Sequence, residues 1–282
     1  MKFGLIYPSS SGYVDLELFR ATVREAEDNG FEFFFVWDHY MLPQSTKHKS
    51  WSNRTLEAFQ ALSYAAALTR TIKLSTVVTP IPFRNVLALA KMASFLDFLS
   101  NGRFVLGAGL GWNEAEFRYY SEWKPATERF RETEEGLRTL QAMWKGSTRD
   151  GVLPEVDPRP SPDHTIPIWF GTTGKRMMKL CAEIGSGWIP SAISPEEFGA
   201  KMQILESLLR ENHKSLGDFT FAVDLEDQLL PSRNAGYLIR GIEQYTKAGA
   251  NLVCQTWQYD PLDREAFLKK IHWYSEEVMH SF

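Results

Sequence analysis

Five short stretches place groups that can move protons, hold anions or bend the backbone where a β-branched run gives way to a loop. Trp37-Asp38-His39-Tyr40 sets an imidazole beside a carboxylate, a pair that can transfer a proton near neutral pH, the carboxylate raising the basicity of the ring. The plainer reading makes Asp38 a turn cap and His39 a solvated surface residue. Thr76-Val77-Val78-Thr79-Pro80 ends in a sharp turn, so its hydroxyls and free carbonyls could touch a ligand. Gly107-Ala108-Gly109-Leu110-Gly111-Trp112-Asn113-Glu114 alternates glycines, which lets main-chain N–H groups approach a flat ring or an anion, and Asn113 could hydrogen-bond either. It is no dinucleotide fingerprint, because the glycines lead into Trp112.

Gly171-Thr172-Thr173-Gly174-Lys175-Arg176 is the best anion site in the chain: free amides at a helix N-terminus, the helix dipole and two cations converge there. It lacks the spacing of a P-loop. Gly185-Ser186-Gly187-Trp188 reads as turn punctuation, with Trp188 either core or pocket wall. No metal-ligand pattern occurs, since the histidines are dispersed and neither CxxC nor HExxH is present. Cys181 and Cys254 lie in apolar stretches and read as packed thiols rather than a disulfide.

The elements that must position these groups follow a regular rhythm. Strands are predicted over Lys2 to Tyr7, Glu32 to Trp37, Ile72 to Thr79, Arg103 to Ala108, Ile166 to Phe170, Gly187 to Pro190, Phe219 to Asp224 and Asn251 to Thr256. Between them lie helical patterns: Asp15 to Asn29, with Leu16, Phe19, Val23 and Ala26 on one face; Thr55 to Arg70; Asn85 to Leu99; and a stretch reaching Trp144, interrupted near Pro125. Further helices are expected over Lys175 to Ile184, Pro195 to Asn212, Gly236 to Ala248 and Arg264 to Met279. Eight strand–helix units fit a closed (β/α)8 TIM barrel better than an open doubly wound sheet, and catalytic groups would then sit at the C-terminal ends of the strands. The Pro- and Asp-rich loop Gly146 to Thr165 is read as an insertion after the fourth unit. Residues 1–282 form one domain on this reading.

Composition narrows the function classes. With 31 basic and 35 acidic side chains, the net charge of −4 argues against a nucleic-acid binder. No apolar run is long enough for a membrane span, and the opening MKFGLIYPSS turns polar too soon for a signal peptide, so a cytoplasmic location is expected.

VWDHY, TPIPFRN, ALAKMASFLDFLSNGRFVLGAGLGWNEAEF, RFRETEEGLRTLQAMW and PIWFGTTGKRM, in that order, resemble the bacterial luciferase-like superfamily of flavin- and deazaflavin-dependent oxidoreductases, most closely its short members that use coenzyme F420. The likeness runs to about Pro190. It implies a barrel with the cofactor ring at its C-terminal mouth. Asp38 and His39 match the pair beside the reactive face, His39 handling the substrate proton. Thr76 and Val77 match the site of a non-prolyl cis peptide that props the ring. Gly109, Leu110, Gly111 and Asn113 match the segment along ring and tail, and Gly171, Thr172, Thr173, Gly174 and Lys175 the phosphate loop. Sugar-phosphate dehydrogenases of the superfamily carry an acid where this chain has Trp112, which speaks against that activity.

Hydride transfer between F420 and a small organic substrate is therefore the expected reaction, in a pocket walled by Tyr40, Trp51, Trp112 and Trp257. An FMN-dependent monooxygenase using O2, and a non-catalytic flavin-binding protein, are the alternatives. The resemblance further implies a homodimer, with a separate cofactor reductase as a possible partner.

Overall fold

Short strands buried on both faces alternate with helices that bury one stripe, and this alternation carries the chain around a closed barrel. The computed structural model describes residues 1–43, 51–52, 54–146, 156–160, 165–226, 234–257 and 263–282. β1 (Lys2–Tyr7) is followed by α1 (Leu16–Asp28), whose N-cap Asp15 accepts the Leu18 N–H at 2.9 Å. α1 buries Leu18, Phe19, Thr22, Val23 and Ala26, while Leu16, expected on that face, is exposed at the first position. β2 (Phe33–Val36) leads to a small hairpin, β3 (Leu42–Pro43) with β4 (Trp51–Ser52), in what the sequence presents as a polar loop. Next come α2 (Ala58–Leu68), β5 (Lys73–Thr76), β6 (Thr79–Pro80) and α3 (Val86–Ser100).

β7 (Phe104–Gly109) precedes α4 (Glu114–Tyr120) and α5 (Ala126–Trp144), divided near Pro125 as the pattern predicts. The inserted loop falls largely on 147–155 and 161–164, outside the described residues. The second half runs β8 (Ile168–Phe170), α6 (Lys175–Ile184), β9 (Gly187–Trp188), α7 (Pro195–Glu211), β10 (Thr220–Glu226), α8 (Ala235–Lys247), β11 (Leu252–Thr256) and α9 (Arg264–Glu277).

All barrel pairings are parallel, in the order β5-β2-β1-β11-β10-β9-β8-β7-β6, and a β5–β7 pairing closes the ring. β5 and β6 lie against the same neighbour, Leu74 opposite Phe104 and Thr79 opposite Ala108, so the nine segments make eight staves. The predicted third strand is thus broken in two. The break is Val77-Val78, joined by a cis peptide bond. This corrects the position implied by the resemblance, Thr76-Val77, by one residue.

Two cores result. The outer one fills the space between barrel and helices. Inside the barrel lie Ile6, Phe33, Phe35, Val105, Trp169, Ala222 and Cys254 among others, with the Phe33 and Trp169 rings 4.8 Å apart. Glycine makes this possible: a Cβ on Gly187 would stand 2.5 Å from the Trp169 ring. Cys181 and Cys254 are both free and buried, as expected, and burial pushes both thiols up. Among the described residues, no helix is long and apolar enough to cross a membrane.

Candidate active site

His39 follows β2 at the C-terminal mouth of the barrel. Its Nδ1 lies 2.9 Å from Oε2 of Glu116 on α4. The other oxygen of that carboxylate, Oε1, accepts the N–H groups of Tyr40 at 2.5 Å and Met41 at 3.0 Å. The Glu116 side chain is 1% exposed and that of His39 16%. One buried acid thereby holds both the imidazole and the backbone that carries it. Trp112, 60% exposed, sets its ring edge-on to the imidazole with centroids 5.6 Å apart. Among the described residues, Nε2 of His39 has no hydrogen-bond partner.

Asp38 does not serve the imidazole. Its carboxylate is buried in a two-point ion pair with Arg84, Nη1 to Oδ2 at 2.8 Å and Nη2 to Oδ1 at 2.5 Å. The guanidinium also reaches Glu57 at 3.4 Å and lies over the Tyr40 ring at 4.9 Å. Burial, ahead of the nearby Asp38 charge, pushes the Glu57 carboxyl up even though Gln60 N–H and Arg84 pull the other way. This corrects the expectation that Asp38 raises the basicity of His39: it fastens the end of β2 to the turn before α3, and Glu116 contacts the ring. Tyr40, expected in the substrate pocket, is part of the same packing, 5.2 Å from Phe83 and 5.1 Å from Tyr120.

The glycines after β7 do something other than meet a ring directly. A Cβ on Gly107 would fall 1.9 Å from the Thr76 carbonyl oxygen, and one on Gly109 would fall 2.7 Å from Val78. A Cβ on Gly171 would also meet Val78, at 2.8 Å. Gly107, Gly109 and Gly171 thus form a shelf on which half-buried Val78 sits. Thr76 is fully buried, and its hydroxyl is spent on the seam: it donates to the Gly107 carbonyl, accepts the Gly107 N–H and accepts from Thr79. Val77 joins the barrel interior.

Leu110 packs against the outer core. Gly111 is required by its backbone, with φ at +78° and Phe117 2.4 Å from where a Cβ would stand. Asn113 is buried and internally satisfied, capping α4 through the Glu116 N–H at 3.2 Å and donating to the Met41 carbonyl at 2.9 Å. Both ends of its amide make a hydrogen bond within the protein, where the sequence suggests a ligand group. Trp257 is another correction: it is fully buried against Phe267 and Tyr274 in the outer core. Trp51 lies on β4, and its side chain is outside what is described.

At the far side of the shelf, α6 begins at Gly174 with no side chain capping it. A Cβ on Gly174 would find only the Thr172 hydroxyl, 3.8 Å away, and Lys175 and Arg176 are exposed beside it. Trp188 donates its indole N–H to the Thr172 carbonyl at 2.5 Å and Lys201 donates to the Thr173 carbonyl at 3.1 Å; the Gly171 and Gly174 N–H groups are used by the Ala108 carbonyl and the Thr172 hydroxyl, while those of Thr172 and Thr173 have no partner among the described residues. Open N–H groups, a helix N-terminus and two cations fit a phosphate. His39, Val78, Trp112 and this loop occupy the ends of four neighbouring staves, β2, β5–β6, β7 and β8.

A barrel that brings an imidazole, a valine seated on glycines and the open start of a helix to adjacent strand ends has the layout of an enzyme site. The chain belongs to the luciferase-like monooxygenase family, whose model matches residues 1–226, well beyond the Pro190 limit set by the motifs. It is 31% identical over 225 residues to a 5,10-methylenetetrahydromethanopterin reductase of Archaeoglobus fulgidus, covering 78% of this chain and 61% of the reductase. The chain thus matches somewhat less than two thirds of that relative. In structure it is similar to an F420-dependent secondary alcohol dehydrogenase in complex with an F420-acetone adduct (TM-score 0.78, 20% identity, covering 99% and 98% of the two chains). It is also similar to the oxygenating constituent of 3,6-diketocamphane monooxygenase of Pseudomonas putida in complex with FMN (TM-score 0.75, 14% identity, covering 99% and 98%).

Proposed function

We propose that the protein is an F420-dependent oxidoreductase that transfers a hydride between the deazaflavin and a small organic substrate. The observation that carries this is the His39 site: an imidazole held on one nitrogen by buried Glu116, with the other nitrogen unpartnered among the described residues and exposed Trp112 beside the ring. A likeness to an F420-dependent glucose-6-phosphate dehydrogenase of Microbacterium testaceum, 28% identical over 187 residues, supports deazaflavin over flavin. When bound, the deazaflavin supplies a carbon that gives or takes a hydride. The chain's residues do the rest. Gly174, Lys175 and the open start of α6 would hold the phosphate, Val78 on its glycine shelf would support the ring, and His39 would exchange a proton with the substrate heteroatom. The FMN-bound neighbour keeps a second reading alive, a monooxygenase using reduced FMN and O2.

His39→Ala tests the catalytic role. Its cofactor binding should be retained and its turnover in a screen of electrophilic alkenes, imines and alcohols should fall by about 10²-fold or more. Unchanged turnover would remove His39 from the chemistry. The same proposal includes a cytoplasmic homodimer and, where reduced cofactor is consumed, a separate reductase. The dimer draws support from α3, which exposes Phe95, Phe98 and Leu99, the two phenylalanine rings stacked at 6.1 Å.

A further inference from the structure

We infer that Glu116 is a positioning residue that fixes the tautomer of His39, so that the ring exchanges its proton through Nε2. The inference rests on the reading of His39 as the proton carrier. Glu116 Oε1 already accepts two main-chain donors, the N–H groups of Tyr40 and Met41, whose direction cannot reverse. As a carboxylate Glu116 carries no hydrogen on either oxygen, so the hydrogen in the 2.9 Å contact between Oε2 and Nδ1 belongs to the imidazole. Neutral His39 then carries Nδ1–H and a bare Nε2, and the protonated ring carries its second hydrogen on Nε2.

The surroundings keep this arrangement in place. Glu116 sits in the first turn of α4, where its own N–H is capped by Asn113, and Asn113 also ties down the Met41 carbonyl. The loop that bears His39 is therefore pinned to α4 from both sides, and Trp112 meets the ring edge-on. In a reduction, for which the deazaflavin when bound would supply the hydride, His39 would give its Nε2 proton to the substrate heteroatom and be left neutral. Oxidation of an alcohol is the reverse, with bare Nε2 taking the hydroxyl proton.

Glu116→Gln separates this role from simple anchoring. The glutamine carbonyl can still accept from Tyr40 and Met41, but its NH2 group then faces Nδ1 and requires a bare nitrogen there, which moves the hydrogen of the neutral ring to Nε2. The same kind of swap in a serine-protease triad puts the imidazole in the wrong tautomer and lowers kcat about 10⁴-fold. Nitrogen-15 NMR of histidine-labelled protein without cofactor, at a pH where the ring is neutral, reads the tautomer directly. We expect protonated Nδ1 and bare Nε2 in the wild type and the opposite in Glu116→Gln. Protonated Nε2 in the wild type, or one tautomer in both proteins, would overturn the inference, and the wild-type spectrum decides even where the variant fails to fold. F420 affinity should stay within about twofold in the variant while turnover falls about 10²-fold or more. Because the spectrum needs neither cofactor nor substrate, failure of the F420 reading and failure of the tautomer assignment are told apart.

Discussion

His39 stands out in the sequence as an imidazole at the end of a predicted strand, but the acid that contacts it does not. Asn113 and Glu116 stand three apart at a helix start, the spacing of a capping box, in which the acid turns back on its own helix. Here the cap is made and the acid turns outward to the His39 loop instead. Adjacency in sequence misled for the opposite reason: Asp38 and His39 are neighbours, yet successive side chains diverge where a strand ends, and Asp38 turns to Arg84. Asp38→Asn should leave the buried guanidinium underpaired and destabilise the fold by about 3 kcal/mol. Urea unfolding at neutral pH checks this, and a loss well below that figure would mean that Glu57 takes over the pair.

At the scale of elements, periodicity located every barrel strand, while the break in the third was hidden. Thr76 to Thr79 is a β-branched run that reads as continuous strand, and only the glycines across from it, Gly107, Gly109 and Gly171, mark where Val78 must seat. A sequence shows that a side chain is missing; it does not show what fills the space. The opposite end of the barrel carries a pH-sensitive joint. Glu27 at the end of α1 accepts the N–H groups of Arg70, Thr71 and Ile72 and the Thr71 hydroxyl, with distances of 2.7–3.0 Å for its Oε1 contacts. Burial alone would raise its carboxyl, but the N–H groups of Ile72, Thr71 and Arg70 bring it down to about 2, from an ordinary 4.5. A carboxyl depressed in the folded state stabilises above its unfolded value and loses that contribution as pH falls through the folded one. Wild type should therefore exceed Glu27→Gln in stability at neutral pH, with the gap closing between about 4.5 and 2, read by denaturant melts across that range. A gap independent of pH would show that the charge contributes nothing.

For the whole molecule, the strand–helix count of eight predicted the closed barrel, because each unit is short and sharply punctuated, and the observed pairing closes it through β5 and β7. Long-range consequences such as which outer face meets a second copy were not written in the spacing. The exposed Phe95, Phe98 and Leu99 on α3 now suggest one. Phe98→Lys should shift a dimer seen by light scattering to monomer without loss of helix signal in circular dichroism; a protein already monomeric at micromolar concentration would remove the dimer from the proposal.

The cofactor is the central claim, because the barrel is shared by F420- and FMN-bound neighbours and so does not choose between them. Anaerobic titration of the purified protein with F420 and, in parallel, with FMN, followed by fluorescence, tests it most directly. We expect F420 to bind in the low micromolar range or tighter and FMN at least about tenfold more weakly, a difference of about 1.4 kcal/mol. Tighter binding of FMN would move the chemistry to oxygen activation, and binding of neither would contradict the assignment at its root.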